Sequence, residues 1–284
     1  MSYQYNYLLV DGVLRQDALK WLYGQDEQLD IVPLYIGTRW QETHDLGPIL
    51  VKAQTGSRLI KAVKADPALQ ACSSLLFSSA TIAAVAKHLS QFITVTDNSG
   101  SHSLFRFADP LITAYWLDSY TQDSYNALLG PVETWTVAIT PPLWSKEQSV
   151  QWRHYQSTNE QIATVKKPNH LQDDQVAALE KAYRQRFKGR LYDWLIHREN
   201  RFFEYFDDHA WNCWLERVLN SAHAWGLVSE RSFAMWAEMR ADWGEDFLVN
   251  PSSPYQRWLN DHPEQSRLAP EKRIDALSAY CQRA

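Results

Sequence analysis

The chain has 284 residues, of which 45 % are hydrophobic, and its 28 Lys and Arg against 33 Asp and Glu give a formal net charge of −5. This length and hydrophobicity predict a soluble, well-cored protein with one large domain or two smaller lobes. Because clustered basic side chains drive binding to polyanions, the acidic balance argues against nucleic acid and membrane surfaces as partners.

Features of targeting and cysteine usage predict a cytoplasmic protein. The N-terminal residues lack the basic and apolar segments of a secretory signal, and no apolar run approaches the roughly 20 residues that span a bilayer. Cys72, Cys213 and Cys281 are far apart and odd in number. This pattern fits a reducing compartment and argues against a disulfide framework and a structural zinc site.

The first 140 residues predict a mixed α/β lobe with a mixed sheet. Short apolar and β-branched runs bounded by turn residues predict strands at residues 5–10, 32–36, 49–52, 73–77 and 132–139. A hairpin at 92–96 and 103–107 makes the sheet antiparallel at least in part. Helices are predicted at 14–23, 79–89 and 111–117. Asp109 can cap the last of these, and Pro110 suits its first position, where no amide partner is needed.

The residues Thr140, Pro141 and Pro142 predict a domain boundary, because two adjacent prolines remove backbone donors and disfavour helix before them. Beyond this point the apolar residues follow helical spacing, most clearly from Trp211 to a stop at Gly226. The predicted fold is therefore α+β in residues 1–140, followed by an all-α helical lobe in residues 141–284.

Sequence motifs for common enzymes are missing from the chain. It contains no glycine-rich phosphate loop, no Gly-x-Ser-x-Gly elbow and no His-Glu-x-x-His zinc motif. We therefore predict no catalytic residue, no metal ligand and no cofactor. One enzymatic alternative stays open: a hydrolase that uses Asp11, His44 and Asp109, brought together at strand ends.

Several short motifs, in order, resemble one bacterial adaptor family, the type VI secretion effector chaperones, also named Tap or TEC adaptors. The resemblance covers about residues 5–135 and is looser in the helical half. The motifs are Tyr7-Leu8-Leu9-Val10-Asp11-Gly12-Val13, Pro33-Leu34-Tyr35-Ile36-Gly37-Thr38, Leu46-Gly47-Pro48-Ile49-Leu50-Val51, Leu104-Phe105-Arg106-Phe107-Ala108-Asp109-Pro110 and Gly130-Pro131-Val132-Glu133-Thr134-Trp135.

The resemblance implies a non-enzymatic protein that binds a toxic type VI effector in the cytoplasm and loads it onto the spike protein (VgrG-like) of the secretion needle. It also implies a structural or interface role for the motif residues Asp11, Gly12, Pro33, Tyr35, Gly47, Pro48, Arg106, Asp109 and Pro110.

The helical half supplies the candidate effector-binding residues. Nine of the 13 Trp lie from Trp144 onward, and large aromatic side chains dominate both protein cores and interface hot spots. Our hypothesis is that the helical lobe grips the effector, while the α/β lobe supports it or contacts the spike. The candidates are Trp211, Trp225, Trp236, Trp243 and Phe247.

Overall fold

The structure is a computed structural model that describes residues 4–54, 56–147, 149–157, 169–198 and 201–281. Contacts between residues divide the chain into two compact units. Unit 1 contains Met1–Pro141 and Gln148–Arg184, and unit 2 contains Pro142–Glu147 and Gln185–Ala284. The chain passes from unit 1 to unit 2 after Pro141 and returns to unit 1 for residues 148–184.

The strands of unit 1 form two antiparallel sheets. In chain order they are β1 (Tyr7–Asp11), β2 (Asp30–Pro33), β3 (Pro48–Lys52), β4 (Ser73–Phe77), β5 (Thr94–Thr96), β6 (His102–Leu104), β7 (Thr134–Ile139) and β8 (Gln151–Gln156). Six of them form one sheet in the order β2-β3-β1-β4-β7-β8, and β5 and β6 form a separate hairpin. Every pairing between these strands is antiparallel, whereas the sequence required this only in part.

Strand β8 lies beyond the predicted boundary, in a segment where the sequence predicts only helices. It pairs with β7 along its whole length. As an edge strand it buries only Tyr155 fully, so its residues lack the alternating apolar pattern that identifies most strands. Pairing with β7, a tertiary interaction, decides its conformation.

Helices cover both faces of the six-stranded sheet, and strand β1 is buried on both sides. Leu9 points into one core, shared with α4 (Ile82–Leu89) and α5 (Pro110–Asp118). Leu8 points into the other, shared with α1 (Ala18–Tyr23) and α2 (Arg58–Ala65). This alternation follows from the two-residue period of a strand. The short helices α3 (Pro67–Gln70) and α6 (Tyr125–Leu129) complete this part of unit 1.

Unit 2 is helical, and the predicted fold class, α+β followed by all-α, is confirmed. Helix α7 (Asp173–Ile196) contributes its residues up to Arg184 to unit 1 and the rest to unit 2. The other helices are α8 (Asp208–Trp225), α9 (Glu230–Trp243), α10 (Pro254–Asp261) and α11 (Pro270–Cys281). Helix α8 ends at Gly226 in the left-handed conformation, with φ of +99°, as its sequence predicts.

Unit 2 also buries the side chain of a cationic residue. Lys188 is 2 % exposed, and its Nζ lies 2.7 Å from Asn212 Oδ1 and 2.9 Å from Glu216 Oε1. The same ammonium lies 5.2 Å from the centre of the Trp144 ring. Lys188 therefore joins α7, α8 and the 142–147 segment within this unit.

Candidate functional site

The motif residues of unit 1 meet at one end of the six-stranded sheet. Asp11, the last residue of β1, lies opposite Pro48, the first residue of β3. The Gly12 amide donates a 3.1 Å hydrogen bond to the Gly47 carbonyl. Strand β2 ends at Pro33 at the same end of the sheet, because it runs antiparallel to its partner β3. Motifs that are far apart in sequence thus converge on one small region.

A buried ion cluster lies at the centre of this region. Arg106 Nη2 is 3.0 Å from both carboxylate oxygens of Asp11 and 3.6 Å from Asp109 Oδ2. The side chains of Arg106, Asp11 and Asp109 are 24 %, 5 % and 0 % exposed. Charge-assisted contacts of this length are strong where water is largely excluded. The cluster ties the end of β1 to the loop before α5.

Both carboxylates also hold backbone amides. Asp11 Oδ1 accepts hydrogen bonds of 2.9 Å from the amides of Val13 and Leu14, which fixes the turn after β1. Asp109 Oδ1 accepts from the amide of Leu111 at 3.0 Å, as the predicted N-cap of α5. Pro110 occupies the first position of that helix, as predicted.

Burial and charge act in opposite directions on Asp11. Burial raises the pKa of its carboxyl above the ordinary value, while the Arg106 guanidinium lowers it. For Arg106, burial lowers the pKa, but the charges of Asp11 and Asp109 outweigh that effect and leave the pKa raised. Arg106 is therefore the main charge that favours the ionised form of Asp11.

Two glycines let the surrounding loops approach closely. A Cβ on Gly12 would lie 2.2 Å from the carbonyl oxygen of Asp45, and one on Gly47 would lie 2.6 Å from the Tyr35 ring. Burial of Tyr35, reinforced by the charge of Asp11, raises the pKa of its hydroxyl to about 12. Glycine is needed at both positions because any side chain would push these loops apart.

Exposed apolar side chains lie directly beside these motif residues. Ile36 follows Tyr35 and is 58 % exposed, and Val13, Leu14 and Leu46 are also exposed. Their backbones belong to the loops that the ion cluster and the glycine contacts hold together. We refer to Val13, Leu14, Ile36 and Leu46 as the sheet-end patch. The sequence contained these residues, but their exposure follows only from the arrangement of the loops.

The hydrolase alternative finds little support in this geometry. Asp11 and Asp109 do meet, through Arg106, but both carboxylates already accept hydrogen bonds from backbone amides, and Asp11 also accepts from Arg106. His44 Nδ1 lies 3.2 Å from the Gln41 carbonyl oxygen within its own turn, and within the described ranges no contact joins it to either carboxylate. Across those same ranges, no group of three or more His, Cys, Asp or Glu is placed to hold a metal ion.

The candidate effector-binding aromatics of unit 2 require a correction. Trp211, Trp236 and Phe247 are buried in its core. Trp225 and Trp243 are half-buried, with ring centres 4.9 Å from Trp236 and 5.7 Å from Phe247. These residues pack against one another because helical spacing turns them toward the core, where burial of such large side chains is most favourable. The five residues therefore do not form an exposed aromatic surface.

A model of a protein family matches part of the chain. The family model described as "Domain of unknown function (DUF4123)" matches residues 6–127, a segment that contains all nine motif residues. Neither a search of curated proteins nor a search of solved structures returned a match. None of the helices in the described part of the chain is long and apolar enough to cross a membrane.

Proposed function

We propose that this chain is a non-enzymatic, cytoplasmic adaptor that binds a type VI secretion effector, a toxin, and loads it onto the spike protein. The proposal is supported by the ordered motifs that resemble effector chaperones and by the family match over residues 6–127. The observation that carries it is the position of the motif residues: they form a buried ion cluster at the end of the sheet whose loops carry the exposed sheet-end patch.

This arrangement favours binding over catalysis. A general acid or base must reach its substrate and exchange a proton with it. The carboxylates of Asp11 and Asp109 are almost fully buried and already hold Arg106 and backbone amides. By contrast, the apolar side chains of the sheet-end patch are open to a partner. Since their loops are already fixed, binding costs little ordering entropy.

We assign the sheet-end patch to the spike protein and unit 2 to the effector. The resemblance to effector chaperones is strongest in unit 1. We therefore assign the spike protein, the partner that such adaptors share, to the end of unit 1 where the motif residues lie. The helical half resembles the family more loosely, as befits a surface that recognises a particular toxin. In unit 2 the contact would use exposed residues such as Val228 and Val249, because the candidate tryptophans lie in or against the core.

The assignment is tested by measuring spike and effector binding separately. Ile36→Asp places a charge in the sheet-end patch, and Val249→Asp places the same charge at a 76 % exposed position of unit 2. The full-length chain is titrated with the purified spike protein and, separately, with the toxin encoded beside it. We expect Ile36→Asp to weaken spike binding at least tenfold with effector binding unchanged, and Val249→Asp to leave spike binding unchanged.

Two results would overturn the proposal. If the folded wild-type chain binds neither protein, the adaptor function is wrong. If it binds both but Ile36→Asp leaves the spike affinity unchanged and weakens effector binding, the two partners must be exchanged between the units.

A further inference from the structure

A second surface of unit 1, which borders the ion cluster at Tyr183, has the features of a peptide-binding groove. The groove has a volume of about 170 Å³ and lies between the β5–β6 hairpin and the first turns of α7. Its apolar lining comes from Val95, Leu104, Phe105, Leu171, Val176, Leu179 and Tyr183.

Small side chains on the hairpin explain the groove. Val95 pairs with Ser103, so in this strand pattern Ser101, Ser103 and Phe105 share a face with Val95. Helix α7 offers Val176, Leu179 and Tyr183 from one stripe. Where a sheet and a helix usually fill the space between them with large side chains, the hairpin supplies two serines. The space left open is similar in size to an apolar cavity that holds one benzene ring, about 150 Å³.

The hairpin also has an open edge beside the groove. One side of β5 is occupied: the Thr96 amide donates 2.9 Å to the Asn169 carbonyl, and the Leu171 amide donates 2.8 Å to the Thr96 carbonyl. The other side of β5 pairs with β6. Among the residues that the structure describes, β6 pairs with no other strand, and all three of its residues are exposed.

The hydrogen-bond pattern shows which backbone groups of β6 point outward. The Phe105 amide donates to the Ile93 carbonyl, and the Ser101 carbonyl accepts from Asp97. Because direction alternates along an antiparallel strand, the backbone N–H and C=O groups of His102 and Leu104 point away from β5. An unpaired edge of this kind is a template for another extended chain.

The charge at the groove is negative. Asp97 and Glu180 belong to its lining, which within the described residues includes no Lys or Arg. Asp173, at the start of α7, adds a third carboxylate near this end of the hairpin, where it accepts a 2.8 Å hydrogen bond from Asn98. A ligand that carries a basic side chain is therefore favoured over an acidic one.

We propose that the hairpin edge and the groove together bind an extended segment of a partner protein. The segment pairs with the outer edge of β6, inserts one large apolar side chain between the hairpin and α7, and places a lysine or arginine near Asp97 and Glu180. The groove lining shares no residue with the sheet-end patch, and the proposal does not depend on which protein carries the segment.

The test uses a library of random ten-residue peptides displayed on phage and selected on the full-length chain. We expect enriched peptides to contain an aromatic or leucine residue near a Lys or Arg, and to bind as synthetic peptides in a fluorescence-anisotropy titration. Ser103→Leu fills the groove, and Leu104→Pro removes an outward N–H at a strand edge that tolerates proline. Each should weaken binding at least tenfold.

A matched control distinguishes a blocked groove from a general loss of stability. Ala83→Leu adds the same side chain as Ser103→Leu at an exposed position of α4 outside the groove, and it should leave peptide affinity unchanged. Glu180→Lys, on the rim, should weaken the selected basic peptides. Thermal unfolding of each variant identifies any that fails to fold, and the remaining variants then decide.

The proposal is overturned if no peptide is enriched, or if the enriched peptides bind the folded Ser103→Leu and Leu104→Pro variants as well as the wild type. Sedimentation of the chain over a range of concentrations tests another occupant. A dimer that both variants dissociate would make a second copy of this chain the occupant and would refute the peptide segment.

Discussion

The ion cluster of unit 1 predicts a large and pH-dependent loss of stability when its cation is removed. Arg106→Met keeps much of the side-chain volume but leaves the carboxylates of Asp11 and Asp109 buried without their cation. Removing one partner of a buried ion pair costs about 3–5 kcal/mol. Because Arg106 is 24 % exposed and thus partly screened by water, we expect about 3 kcal/mol at pH 7.

The pH dependence follows from the pKa of Asp11. Burial raises this pKa, and Arg106 is the largest influence that lowers it, so the variant raises it further. A carboxyl whose pKa is higher in the folded than in the unfolded protein stabilises the fold when protonated. That contribution is present below the ordinary value of 3.8 and is lost as pH rises through the folded pKa. The stability gap between variant and wild type should therefore widen from pH 4.5 to pH 7.

The assay is urea unfolding followed by tryptophan fluorescence and circular dichroism, with two transitions allowed for the two units. With a slope of about 2 kcal/mol/M, a loss of 3 kcal/mol moves the unit 1 midpoint by about 1.5 M. Arg58→Met is the control: Arg58 pairs with Asp26 at the surface of the same unit, so its midpoint should hardly change. A gap of equal size at both pH values, or a midpoint at pH 7 within error of the wild type, would refute this account of the cluster.

Three further predictions concern packing and capping. Gly47→Ala should destabilise unit 1 by about 1–3 kcal/mol in denaturant titrations, because the new Cβ would lie 2.6 Å from the Tyr35 ring. Gly189→Ala, in helix α7, is the matched case with room: its new Cβ would lie 3.9 Å from Leu143, and the variant should stabilise unit 2 by about 0.5–1 kcal/mol. Burial of Glu271 would raise the pKa of its carboxyl, but hydrogen bonds from two amides and two hydroxyls lower it to about 2. The contribution of ionised Glu271 to stability is therefore complete above pH 5 and is lost as pH falls toward 2. In Glu271→Gln, the stability of unit 2, measured by circular dichroism, should fall less steeply between pH 5 and pH 2 than in the wild type. An unchanged pH dependence would contradict this prediction. Trp236→Leu should cost unit 2 about 2–4 kcal/mol in urea unfolding, because this ring is buried and its indole N–H donates 2.9 Å to Ser221; a cost below 1 kcal/mol would contradict its core position.

The sequence by itself determined most of the local structure. Asp109 and Pro110 predicted the start of α5, and Gly226 predicted the end of α8, because caps and left-handed turns depend on the residues in place. Strand β1 was also predictable, since a strand buried on both faces is a continuous apolar run. The ordered motifs also contain the residues that meet at one end of the sheet.

Only the tertiary structure decided which side chains meet and which stay exposed. Arg106 and Asp11 are 95 positions apart, so no local pattern predicts their 3.0 Å contact. Composition favoured a core role for each aromatic residue of unit 2 but could not separate core from interface, and neighbouring helices buried Trp236 while leaving Val249 open. Strand β8 formed because an edge of β7 was available to pair with. The periodicity of a helix or a strand indicates which face a residue occupies, but which residues cover that face depends on distant parts of the chain.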